Sequence, residues 1–174
     1  MALFFPTLYR RRITDVTAED LRALGARGVL LDIDNTLTTH DAPELSADVS
    51  AWLERMRAAG LRLMVVSNNS EARVAPFAEK LGLPFYAKAG KPLPRGYRAA
   101  AERLGVPKGE CAAIGDQIFT DIVGANVNGM VSILLEPIEP ETAQRFIAFK
   151  RRLERLLLRG RQKRRREADY AKQK

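Results

Sequence analysis

Short apolar runs alternate along this chain with stretches in which apolar positions recur every three or four residues. Thr17-Ala18-Glu19-Asp20 has the hydroxyl-x-x-acid form that opens a helix, and Gly25 suits its end. The run at 28–33 predicts a buried strand. Residues 46–59 place Val49, Trp52, Leu53 and Met56 on one face and predict a helix stopped by Gly60. A second buried strand, 61–66, ends in the polar cluster Ser67-Asn68-Asn69-Ser70. Then follow a helix over 71–81, a short strand at Phe85–Tyr86, a helix from Pro94 to Leu104 closed by Gly105, and a strand over 111–114 that ends in Gly115-Asp116. A helix near 120–126 and a strand at Val131–Leu135 complete the pattern, and residues 1–27 read as a helical segment ahead of it.

Alternating buried strands and amphipathic helices predict the α/β class, with a mostly parallel sheet covered by helices in three α/β/α layers. In such sheets the ligand crevice lies beyond the carboxyl ends of the strands. Each predicted strand delivers polar residues to that edge. The first gives Asp32 and Asp34, the second Ser67, the fourth Asp116, and Lys91 arrives on a loop just ahead of a helix. Two aspartates one residue apart at the end of a buried run also read as a turn whose side chains bond nearby amides. A turn alone does not account for the convergence at one edge.

Composition narrows the chemistry. The single cysteine, Cys111, allows no internal disulfide and no thiolate cluster, and the single histidine, His40, leaves acid–base work to carboxylates. No apolar run approaches the roughly 20 residues that span a bilayer, and the start MALFFPTLYRRRI does not have the form of a secretory signal, so a cytoplasmic protein is expected. The formal charge of +8 is uneven: residues 145–174 hold 13 Lys/Arg against 3 Asp/Glu, whereas the rest hold 16 against 18.

Three carboxylates, a hydroxyl and an ammonium at one edge point to phosphoryl transfer. A carboxylate that attacks a phosphate dianion meets charge repulsion, which a divalent cation relieves. Hard oxygen ligands favour Mg²⁺. Asp32 would be the nucleophile that forms an aspartyl-phosphate. Asp34 would protonate the leaving alkoxide and then deprotonate the hydrolytic water. Ser67 and Lys91 would bind the transferring phosphoryl oxygens. Asp116 also reads as a helix N-cap, and Lys88 competes with Lys91. Thr36 and Asn68 are candidate substrate contacts, Thr36 equally a brace for its loop. His40 reads as a solvated loop residue and Cys111 as core. Arg73 reads as a surface residue that could assist phosphate binding.

Asp32-Ile33-Asp34-Asn35-Thr36-Leu37, Ser67 after a buried strand, Lys91-Pro92 and Gly115-Asp116-Gln117-Ile118-Phe119-Thr120-Asp121 resemble the four motifs of the haloacid dehalogenase (HAD) superfamily. The resemblance implies a Rossmann-like fold and a phosphatase. It implies Asp32, Asp116 and the backbone carbonyl of Asp34 as Mg²⁺ ligands, with Asp121 as a further acid near the metal or near Lys91. Only 35 residues separate Asp32 from Ser67 and 24 separate Ser67 from Lys91, too few for a cap domain. An uncapped site relies on its substrate to exclude water, which favours a bulky phosphomonoester.

Phe5-Pro6…Tyr9, VSNNSEARV at 66–74, AGKPLPRGY at 89–97 and GDQIFTDIVGAN at 115–126 further resemble the bacterial YqeG group of HAD subclass IIIA phosphatases. That group is similar to phosphatidylglycerophosphate phosphatase, which implies a lipid phosphomonoester as substrate. The expected organisation is a capless phosphatase domain over 1–140 and a basic tail over 141–174. On a helical template Phe146, Phe149, Leu153, Leu156 and Leu157 form one apolar stripe flanked by Lys150, Arg151, Arg152, Arg155 and Arg159. Such a helix docks onto its own domain or lies on the anionic inner face of a membrane. The rival reading is a nucleic-acid or ribosome-associated protein that uses the Arg-rich tail on phosphate backbones. Phosphoprotein, nucleotide and sugar-phosphate substrates also stay open.

Overall fold

The computed structural model describes residues 3–39 and 44–139. The tail expected over 141–174 and His40 lie outside the described residues. Among the described residues six strands form one sheet: β1 (Leu8–Arg10), β2 (Gly28–Leu31), β3 (Arg62–Val66), β4 (Phe85–Tyr86), β5 (Cys111–Gly115) and β6 (Val131–Leu135), in the order β1-β6-β5-β2-β3-β4. Every pairing is parallel, with Val29 opposite Leu63 on one side and Ala112 on the other. The helices are α1 (Ala18–Ala23), α2 (Ala47–Ala58), α3 (Glu71–Lys80), α4 (Pro94–Leu104) and α5 (Val123–Asn128).

The central strands β2 and β5 are buried at every position, and β3 at every position after Arg62, because both faces are covered. Val29, Leu31, Leu63, Val65 and Ile114 pack with Leu21 of α1, Trp52 and Met56 of α2, and Val74 and Ala78 of α3. Leu30, Met64 and Ala113, one residue out of step, point the other way onto Tyr97 and Ala100 of α4 and Ala125 of α5. The indole of Trp52 is fully buried and donates to the Val16 carbonyl at 2.7 Å, so its one polar atom is satisfied. Chain direction explains the two faces. From β2 the sheet grows outward through β3 and β4, and the chain then returns to β5 on the other side of β2. A right-handed crossover in the reverse direction puts its helix on the opposite face. The reversal lies between β2 and β5, where an open sheet leaves a crevice at its carboxyl edge.

The expected helical segment over 1–27 is corrected in part. Helix α1 opens on the capping box of Thr17 and Asp20, but ahead of it lie a strand, β1, and a single turn at Ile13–Asp15. β1 has only three residues, too few to show a period. It exists because β6 presents an open edge, and because the Thr7 amide donates to Ser132 Oγ at 3.0 Å just ahead of it. The predicted strand over 28–33 stops at Leu31. The Ile33 carbonyl accepts from the amides of Thr36, Leu37 and Thr38, and Asn35 takes a positive φ of 58°, so the chain turns there. The helix expected near 120–126 begins as one π-helical turn, Ile118–Ile122, and continues as α5.

Candidate active site

Asp32 leaves β2 and Asp116 leaves β5, side by side at the reversal in strand order. The Asp32 backbone remains tied to the sheet, its amide donating to the Ile114 carbonyl at 3.0 Å. Lys91 reaches in from the loop before α4, and its Nζ donates to Asp32 Oδ1 at 2.8 Å and to Asp121 Oδ1 at 2.7 Å. All four side chains are buried. Carboxylate oxygens of Asp32, Asp116 and Asp121 lie within 4.8 Å of one another.

The lysine is held by its backbone as well. Asn68 accepts from the Lys91 amide at 2.7 Å and donates back to its carbonyl at 3.1 Å. Lys91-Pro92 is a cis peptide. Lys88, its rival by sequence, is exposed, with its amide bonded to the Asn69 carbonyl. Asp121 has both oxygens engaged, Oδ1 by Lys91 and Oδ2 by the Gln117 amide at 3.1 Å. It also lies flat against Gly115, where any Cβ would come within 2.3 Å of its carboxyl carbon.

Burial makes these charges expensive and the lysine decides between them. Desolvation pushes the Asp32 carboxyl up to about 6, with Asp121 and Asp34 adding to the rise, although Lys91 opposes it. Burial alone would lower Lys91, but Asp121 and Asp32 together hold it well above its ordinary value. One ammonium shared by two carboxylates stays charged, and its share at Asp32 does not offset that residue's desolvation. Three buried carboxylates facing one lysine leave an excess of negative charge. A hard divalent cation fits this oxygen set.

Past the turn at Ile33, Asp34 is held by the β3–α3 connection, whereas Asp32 is held by Lys91. Arg73, in the first turn of α3, donates to Asp34 Oδ1 at 2.6 Å, and Asn69 Nδ2 donates to Asp34 Oδ2. Arg73 therefore has a partner at the site rather than a purely surface role. Ser67 is buried, and its Oγ accepts from the Asn69 amide at 3.2 Å. Its backbone is fixed by bonds to the Tyr86 carbonyl and from the Ala89 amide.

Of the expected substrate contacts, Asn68 commits its side-chain amide to the Lys91 backbone. Thr36 Oγ1 is buried with no hydrogen-bond partner among the described residues. Thr36 lines a cavity of about 460 Å³ with Arg11, Arg12, Thr38, Ser46 and Ile138; Lys91 is not among its lining residues. Cys111 is core, as expected, and burial pushes its thiol up to about 11. Sequence reasoning missed Asn69, and it missed Tyr97, whose hydroxyl donates to the Asp121 carbonyl at 3.3 Å. The π-helical turn that presents Asp121 was also missed. No spacing rule links these residues to the motifs they support.

A parallel sheet whose reversal point gathers these carboxylates and this lysine defines a class. The haloacid dehalogenase-like hydrolase family matches over residues 7–129, and the chain belongs to it. It is a phosphatase of that family, and such phosphatases generally use a divalent metal. It is 37% identical over 156 residues to the Bacillus subtilis protein named "Probable phosphatase YqeG", covering 89% of this chain and 90% of that one. It is 28% identical to the chloroplastic phosphatidylglycerophosphate phosphatase 1 of Chlamydomonas reinhardtii, covering 88% of this chain and 60% of that one. Among solved structures, the fold is shared with the cobalt-bound deoxy-D-mannose-octulosonate 8-phosphate phosphatase of Haemophilus influenzae. That match has a TM-score of 0.51 at 16% identity and covers 64% of this chain and 68% of that one. No helix among the described residues is long and apolar enough to cross a membrane.

Proposed function

We propose that the protein is a Mg²⁺-dependent phosphomonoesterase that works through an aspartyl-phosphate on Asp32, with phosphatidylglycerophosphate as its substrate. The observation that carries the catalytic reading is Lys91 Nζ bridging Asp32 and Asp121 beside Asp116. Asp32, Asp116 and the Asp34 backbone carbonyl would hold the cation, which supplies positive charge opposite the phosphoryl oxygens. Asp121, with both oxygens engaged, orients Lys91.

Asp32 attacks phosphorus; the bond to the ester oxygen breaks, and that oxygen takes the proton held by Asp34. The alcohol leaves. Asp34, now ionised, accepts a proton from water as the water attacks the phosphoryl group on Asp32. Phosphate departs and the carboxylate is restored. Lys91 and Ser67 carry the charge on the transferring oxygens in both steps.

The lipid assignment draws support from the similarity to a protein named for phosphatidylglycerophosphate, from the short capless connections, and from the basic tail. The tail, as a separate unit over 141–174, would rest on the anionic inner face of a membrane. The deciding experiment measures phosphate release from phosphatidylglycerophosphate in mixed micelles, against glycerol 3-phosphate and p-nitrophenyl phosphate. The expected result is Mg²⁺-dependent turnover, abolished by EDTA, with the highest kcat/KM on the lipid. A higher kcat/KM on the soluble esters rejects the lipid. Asp32→Asn with more than about a tenth of wild-type activity rejects the nucleophile, since removing one attacking group should cost several orders of magnitude.

A further inference from the structure

A cation in the first turn of a helix is placed against the helix dipole, which favours acids there. Arg73 occupies that position in α3, and its guanidinium is turned onto the Asp34 carboxylate at 2.6 Å. Asn69, from the same β3–α3 connection, holds the other oxygen of that carboxylate. Donors on both oxygens fix the plane of the carboxyl group as well as its position, and an arginine fork does so more rigidly than a point charge. Asp34 needs such support. It sits on a turn whose next residue, Asn35, has a positive φ, and its bridge to Thr38 lies outside the named strands.

We infer that Arg73, assisted by Asn69, is a positioning residue for the acid–base carboxylate of Asp34. Through it the β3–α3 connection that carries Ser67 is coupled to the loop that carries Asp34. The inference rests on the acid–base reading of Asp34, and it places Arg73 beside the leaving oxygen rather than on the transferring phosphoryl group. An alkoxide leaves only with a proton, whereas p-nitrophenolate leaves without one. Misplacing Asp34 should therefore slow alkyl esters selectively.

The test compares kcat/KM, which reports the steps through loss of the alcohol, for glycerol 3-phosphate and p-nitrophenyl phosphate at saturating Mg²⁺. Arg73→Ala should lower it roughly 10–100-fold on the alkyl ester and less than about threefold on the aryl ester, a part of the general-acid contribution. Arg73→Lys should fall between, and it serves in place of alanine if that variant does not fold. Equal losses on both esters, no loss on either, or a loss confined to KM overturns the inference. Asp34→Asn separates the two levels. If it shows no leaving-group dependence, the acid–base reading has failed. If it shows the dependence and Arg73→Ala does not, only the role of Arg73 has failed.

Discussion

Asp32→Asn should stabilise the metal-free protein while abolishing its activity. The carboxyl is buried, and burial raises it from 3.8 to about 6 in spite of the Lys91 contact at 2.8 Å. A rise of that size corresponds to on the order of 3 kcal/mol of stability lost once the group ionises. The folded value lies above the unfolded one, so the native state binds the extra proton between about pH 4 and 6. Stability should fall as pH rises through that window and level off above it. Asparagine keeps the shape and removes the charge, and Lys91 is not orphaned because Asp121 remains at 2.7 Å. Urea unfolding in EDTA at pH 7.5 should show the variant more stable by about 1–3 kcal/mol, with a flattened slope between pH 4 and 6. The midpoint of heat unfolding should rise by roughly 2–4 °C per kcal/mol. Mg²⁺ should stabilise the wild type more than the variant, since it binds a site that has lost one charge. A variant less stable than wild type in EDTA, with the pH slope unchanged, would refute the reasoning. It would mean that the Lys91 contact outweighs the desolvation.

Gly115→Ala should sharply reduce activity, because its Cβ would lie 2.3 Å from the Asp121 carboxyl carbon and displace the partner of Lys91; near-normal kcat/KM would show that the close approach is dispensable. Thr17→Ala removes the side-chain acceptor of the Asp20 amide and should lower stability by about 1 kcal/mol in urea unfolding, with activity unchanged. Full-length protein should sediment with anionic but not zwitterionic vesicles. Salt and truncation after Arg159 should weaken that binding. Equal binding to both lipids, or none to either alongside tight RNA binding, would favour a nucleic-acid role for the tail.

The layered α/β fold was legible in the order of apolar runs and amphipathic stretches. Period and length are local properties, and strands covered on both faces must be apolar at every position. For the same reason α4 is found as read, opened by Pro94 and closed by Gly105 with a positive φ of 68°. Asp32, Ser67 and Asp116 were legible too, since each directly follows a strand and a parallel sheet brings strand ends to one edge.

Tertiary structure decided what depends on distant partners. β1 forms because β6 leaves an edge open to it, and three residues carry no period of their own. Lys91 rather than Lys88 is buried among the carboxylates because Asn68 grips its backbone from another connection. Asp34 is gripped by Arg73 and Asn69, both from the connection after β3, once the chain has turned at Ile33. Side-chain spacing in sequence predicts direction only while the backbone keeps one regular geometry, and this site is built where each strand has just ended.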